Sequence, residues 1–136
     1  MTEFSFPFSL DVVALYTSEP VNEAIATTIR RLNNTDFNYH GLNSTHIERI
    51  LTTILDKRIF CYENQLYEQT SGLAMGSKLS GLLATLVMDD LERQTLTADL
   101  RIGLYSRYVD DTFILTEDNT MAERIYQKFN NSHGTL

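Results

Sequence analysis

Apolar residues fall along this chain in blocks whose spacing changes from one block to the next, and those changes of period divide it into elements. Phe8 to Val13 reads FSLDVV, apolar with β-branched residues at its end, which predicts a buried strand with Asp11 as its exception. Ser18, Glu19 and Pro20 have the form of a cap and a first-turn proline, opening a helix to about Leu32, and NNTDFNYHGLNS follows as a loop. Thr45 and Glu48 form a capping box ahead of Ile47, Ile50, Leu51, Ile54 and Leu55, a helix with one buried face that runs to about Lys57. Ile59 to Tyr62 and Leu66 to Gln69 flank Glu63, Asn64 and Gln65 as a short hairpin. From about Ser77 to Thr95, Leu79, Leu82, Leu83, Leu86 and Val87 mark the longest amphipathic helix, with Gly81 on its polar side. Leu104 to Tyr108 and Thr112 to Thr116 flank Val109, Asp110 and Asp111, a second hairpin with carboxylates at its tip. Thr120 and Glu123 cap a last helix that turns Met121, Ala122, Ile125 and Phe129 inward.

Strands and helices thus mix without a regular βαβ alternation, which predicts an α+β fold with a largely antiparallel sheet and helices packed on one face. The 136 residues, 43% of them hydrophobic, are the size of one domain, and no internal repeat or linker divides them. The chain starts directly in a strand and stops after a polar tail, as a piece of a larger protein would. No apolar run is long enough to span a membrane, and the opening MTEFSFPFSLD lacks the basic region and continuous apolar segment of a secretory signal, so the expected location is intracellular. A single cysteine and three scattered histidines offer no zinc spacing, and the histidines read as surface or turn residues. The net charge of −7 argues against strong free-standing binding to a phosphate backbone, because that affinity comes from clustered Lys and Arg.

Three carboxylates stand out against this background. An ionised Asp11 buried in an apolar strand without a partner costs on the order of several kcal/mol, so it belongs at the strand's exposed end or on a cation. Asp110 and Asp111 repel each other unless solvent or a divalent ion relieves them. If the first strand lies beside the second hairpin, all three converge as oxygen ligands for two Mg²⁺ ions, and such a pair, about 3.5 to 4 Å apart, serves in-line phosphoryl displacement. The alternative is that Asp110 and Asp111 only make a turn, where Asp is common. Asp89 and Asp90, about 100° apart on one helix, read as solvated or helix-pairing charges.

Three ordered segments add to this reading. SLDVVALYT (residues 9–17), GLAMGSKLSGLLA (72–84) and YSRYVDDTFIL (105–115) resemble the A, B and C motifs of reverse transcriptases, and the wording DVVALYTSEP, YEQTSGLAMGS and YVDD is most similar to Penelope-like retroelements. The resemblance implies that residues 1–136 are a single partial domain, the palm with motifs A to C, without fingers or thumb. It makes Asp11, Asp110 and Asp111 catalytic, with Asp11 and Asp110 bridging two Mg²⁺ (or Mn²⁺) ions, Asp111 beside them and Val12 offering its carbonyl. Ala14 and Leu15 would present N–H groups to the nucleotide triphosphate, and Tyr16 would exclude a ribose 2′-hydroxyl, a core tyrosine being the alternative. Met75, where many relatives carry Gln, and Gly76 would lie at the nucleotide, and Gly72 and Tyr108 at template and primer. A generic loop would use the same glycines. The implied activity is RNA-directed DNA polymerisation on an RNA template, a DNA primer and deoxynucleotides, located in the nucleus for a parent element.

The pattern is broken in places. Relatives usually read GSPLSP where residues 76–81 read GSKLSG, and Glu19 stands where the family tends to be apolar. Lys78 has the wrong sign for a helix N-terminus, and Gly81 costs about 1 kcal/mol of helix propensity relative to Ala. These changes keep open a second reading, a catalytically inactive retroelement remnant. A third, an RNA-dependent RNA polymerase palm, is disfavoured by Tyr16. The GIY-YIG endonuclease common in Penelope-like proteins has no counterpart in the chain.

Overall fold

The computed structural model describes residues 3–18, 20–36, 38, 40–56 and 58–132. Its elements are β1 (Phe6–Asp11), α1 (Leu15–Ser18), α2 (Val21–Asn33), α3 (Ser44–Asp56), β2 (Ile59–Tyr62), β3 (Gln65–Glu68), α4 (Lys78–Thr95), β4 (Ile102–Tyr108), β5 (Asp111–Thr116) and α5 (Asn119–Ser132). They form two units, one of Met1–Leu15 with Met88–Leu136 and one of Tyr16–Val87. Glu19, Lys57 and His133 lie outside the described residues.

The first unit is built on an antiparallel sheet of order β1-β5-β4, so the expected α+β class with an antiparallel sheet is what forms. Strand alternation sends Thr112, Ile114 and Thr116 of β5 inward. There Ile114, Leu100 and Ile125 form a buried cluster flanked by Phe8, Leu10, Ile102, Tyr105, Met121 and Phe129. The inward set expected for the last helix is therefore the one observed. The opposite face carries Pro7, Ser9 and Asp11 of β1, Leu104, Ser106 and Tyr108 of β4, and Asp111 and Phe113 of β5, all exposed. β1 is accordingly not the fully buried strand that FSLDVV suggested. Its residues alternate between half-buried and exposed, and it ends at Asp11, leaving Val12 and Val13 outside the sheet. At Gly103 the β4–β5 register shifts, and the Phe4 ring packs where a side chain at Gly103 would begin.

α5 starts at Asn119 because the Met121 N–H donates to Asp118 Oδ1 at 2.8 Å. The cap is thus Asp118 and not Thr120. Further along α5, Arg124 donates to Asp99 at 2.7 Å and Lys128 reaches the same carboxylate. The Thr97 hydroxyl and then Lys128 hold the Asp99 carboxyl down at about 2.

In the second unit α2 packs on α3. Ala24, Ile25, Leu51, Leu55, Leu73, Leu83, Ala84 and Val87 are its buried apolar residues. α2 is entered from Pro20, in extended backbone without a side-chain cap, while Ser18, the expected cap, belongs to α1. α3 is capped two residues before the expected Thr45 and Glu48. Asn43 Oδ1 accepts the His46 N–H at 3.1 Å, and His46 Nδ1 accepts the Asn43 N–H at 3.2 Å. The reciprocal logic is that of a capping box, with an imidazole nitrogen in place of the carboxylate. Glu63 and Asn64 form a two-residue turn with φ of +48° and +60°, so Gln65 opens β3 instead of lying in the turn. Leu82 of α4, expected inward, is exposed, and Ser80 is buried in its stead.

Candidate active site

Antiparallel register sets the geometry. Asp11 is the Cα partner of Asp111, and Asp111 is in turn the partner of Tyr108. Cross-strand partners project from the same face, so Asp11, Asp111 and Tyr108 form one row at the end of the sheet's open face. Asp110 sits half-buried in the β4–β5 turn beside that row. Asp11 being exposed, its burial does not by itself demand a cation, which corrects one half of the sequence argument. The donor set, three carboxylates and a backbone carbonyl at Val12, is chemically right for a hard divalent ion. Its placement is partial, since among the described residues no three His, Cys, Asp or Glu side chains are gathered as ligands.

Backbone in the left-handed region brackets the row. Ala14 stands at φ +56° just after β1, and Val109 at φ +59° in the β4–β5 turn. For a β-branched residue this conformation costs about 1–3 kcal/mol and persists only where neighbours enforce it. One such neighbour is Arg107, whose Nη1 donates to the Val109 carbonyl at 3.1 Å. Arg107 Nε also donates to Glu92 Oε1, and the Tyr105 hydroxyl donates to the same oxygen at 2.6 Å. Burial, and then the Glu92 carboxylate, push the Tyr105 phenol well above its usual range. Sequence reasoning missed this trio. The available signal was that Tyr105 and Arg107 alternate onto the inward face of β4, where an arginine needs a partner.

The remaining candidates divide between the units. Leu15 is buried at the start of α1. In the second unit the Tyr16 carbonyl accepts the Leu73 N–H, and its hydroxyl lies 3.8 Å from where a Cβ on Gly81 would stand. Gly72 has φ +74°, and a Cβ there would come within 2.5 Å of the Thr17 carbonyl oxygen. Internal packing therefore accounts for that glycine. Gly76, at φ +86°, has nothing within 4 Å of its missing Cβ, and Met75 beside it is 74% exposed. Asp89 meets Arg93 at 3.2 Å and Asp90 meets Gln94 at 3.1 Å, helix-pairing contacts as expected.

The strand-end carboxylates, the carboxylate-bearing hairpin and the mixed helical and antiparallel architecture define a palm-type polymerase fold. The family model "Reverse transcriptase (RNA-dependent DNA polymerase)" matches residues 22–134, and the chain belongs to that family. Asp11 to Tyr16 precede the matched span. Among solved structures, apo telomerase from Candida tropicalis, truncated from its C-terminal domain, superposes with a TM-score of 0.66 at 19% identity over 90% of this chain. Telomerase from Candida albicans, in complex with a fragment of telomeric RNA, gives a TM-score of 0.63 at 15% identity over 96%. The chain spans 26% of each of those proteins. No curated protein matches it significantly in sequence.

Proposed function

We propose that this chain supplies the palm of an RNA-directed DNA polymerase, with Asp11, Asp110 and Asp111 as the carboxylates of a two-Mg²⁺ site. The observation that carries the reading is the cross-strand row Asp11, Asp111, Tyr108 with Asp110 in the adjoining turn, in a chain of the reverse transcriptase family. When bound, the ions activate a primer 3′-hydroxyl and stabilise the leaving phosphate oxygen. The chain's own residues position the reactants. Val12 offers its carbonyl beside Asp11, and Ala14 and Leu15 offer N–H groups to the triphosphate. Tyr16 limits the space at the sugar's 2′ position. Met75 and the open backbone at Gly76 leave room for a nucleotide, and Tyr108, 80% exposed, presents its ring to template and primer. The RNA fragment in the Candida albicans telomerase structure supports a nucleic-acid partner. The wording of DVVALYTSEP, YEQTSGLAMGS and YVDD supports a parent among Penelope-like retroelements.

The second reading, an inactive remnant, is favoured by Lys78 and Gly81, which open α4 where relatives carry prolines. Primer extension separates the two. By itself the chain is expected to extend poorly, because a net charge of −7 holds nucleic acid weakly and orientation contributes about 7–11 kcal/mol to such reactions. Installed in place of the matching segment of a full-length reverse transcriptase, it should support Mg²⁺-dependent extension of a primed RNA template, lost in Asp110→Asn. A folded chimaera that extends nothing would sink the polymerase reading and leave the remnant.

A further inference from the structure

The turn between β4 and β5 has an internal contradiction that its neighbours resolve. Val109, branched at Cβ, stands at φ +59° in the segment that carries Asp110 and delivers Asp111 to the first position of β5. A relaxed valine would leave that region, and both carboxylates would move with it. Arg107 closes off this escape by donating from Nη1 to the Val109 carbonyl at 3.1 Å. The guanidinium is itself held, since Nε donates to Glu92 on α4, whose same oxygen also takes the Tyr105 hydroxyl. The Arg107 and Glu92 side chains are only 14% and 13% exposed, so solvent competes little for the bonds at Glu92, while the bond to the Val109 carbonyl lies at the surface. A rigid guanidinium plane serves a carboxylate with one nitrogen and a carbonyl with another, whereas a lysine ammonium is a single point charge.

We propose that Arg107 and Glu92 are positioning residues: they clamp the Val109 turn from α4 and so set where Asp110 and Asp111 stand. This rests on the proposed role of those two carboxylates, though the clamp itself is a statement about the turn. The competing view is that the ion pair merely fastens β4 to α4. A fastener would change overall stability and leave the turn and its affinity for a divalent ion unmoved. A clamp changes both at constant fold.

The test uses the ¹⁵N-labelled 136-residue chain. The three-bond amide-to-α-proton coupling of Val109 reads the turn, Mn²⁺ titration with broadening of the Asp110 and Asp111 amides reads the carboxylates, and the Ala122 and Ile125 amides report on the fold. In Arg107→Lys the Val109 coupling should move away from its left-handed value, and Mn²⁺ affinity should fall roughly 10–100-fold, the loss usual when a group that orients a metal ligand is removed. Adding Val109→Gly, for which left-handed backbone carries no penalty, should restore most of the Mn²⁺ affinity. Glu92→Gln, which keeps an acceptor for Tyr105 but loosens Arg107, should give the same change to a lesser degree and covers failure of Arg107→Lys to fold. An unchanged Val109 coupling and Mn²⁺ affinity in folded Arg107→Lys or Glu92→Gln would overturn the proposal. If Mn²⁺ broadens neither amide in the unaltered chain, the metal reading fails, and the clamp still stands or falls on the coupling.

Discussion

The two units place their candidate residues by different means. In the unit of Met1–Leu15 and Met88–Leu136, strand register does the placing: six consecutive Cα pairs from Phe6 and Thr116 end at Asp11 and Asp111. A slip of one residue would send Asp11 to the covered face with Pro7 and Ser9 and turn Phe8 and Leu10 out to solvent. In the unit of Tyr16–Val87, the candidates Gly72 and Gly76 sit in left-handed backbone on the approach to α4. Outside the Val109 turn, which hangs on Arg107 and Glu92, the first arrangement tolerates changes of side chain so long as the pairing holds. The second depends on the identity of single residues.

The sharpest way to break that contrast is Gly72→Ala. With a φ of +74° and a Cβ within 2.5 Å of the Thr17 carbonyl, it should destabilise its own unit by roughly 2–4 kcal/mol. Hydrogen exchange should then lose protection at Leu51 and Leu83 before Ile114 and Ile125. Parallel loss at all four would mean that the units do not respond separately. Next in size is the divalent ion, which should stabilise the sheet unit by mass action, by about 2.7 kcal/mol at a hundredfold excess over Kd. Calorimetry with Mg²⁺ should show that gain shrinking in both Asp11→Asn and Asp110→Asn, and an undiminished gain would remove the metal assignment. A smaller effect, opposite in sign to that of Gly72→Ala, is expected from Gly81→Ala, whose new methyl would lie 3.8 Å from the Tyr16 hydroxyl, an ordinary contact. It should add about 0.5–1 kcal/mol in urea unfolding, and a loss would show that the helix face is tighter than its geometry implies.

The smallest effect concerns acid. The Asp99 carboxyl, held at about 2 against an ordinary 3.8, adds stability that is fully present above pH 3.8 and disappears as pH falls through 2. Asp99→Asn should lower the melting temperature slightly at neutral pH and not at pH 2, since exposed ion pairs contribute little. A carboxyl titration by NMR with an ordinary midpoint would contradict the contacts to Thr97 and Lys128.

Much of this fold was legible because period and composition agree within most elements. β2 matches its expected span, and β3, β4 and α4 lie within one or two residues of theirs. Helix starts were less legible for a local reason. Asn43 and Thr45, Asp118 and Thr120, and Ser18 and Pro20 each offer competing caps two residues apart, and only tertiary placement chooses between them. The carboxylate row was legible through ordered motifs. The left-handed conformations of Ala14 and Val109 were not, since neither is a residue that favours them. Nor was the Glu92–Arg107 pair, which spans 15 positions and exists only once β4 lies against α4.

The β2–β3 ribbon has a colloidal consequence. Every residue of both strands is exposed, Phe60 stacks on Tyr67 with ring centroids 5.6 Å apart, and Ile59, Tyr62 and Leu66 face solvent beside them. Each strand of a two-stranded ribbon has an unpaired edge, and flat apolar edges are templates for intermolecular pairing. Glu63 and Glu68 are the charges set against that outcome. Preparations of the isolated chain will therefore be bounded by self-association through this ribbon, at concentrations that fall as ionic strength is raised.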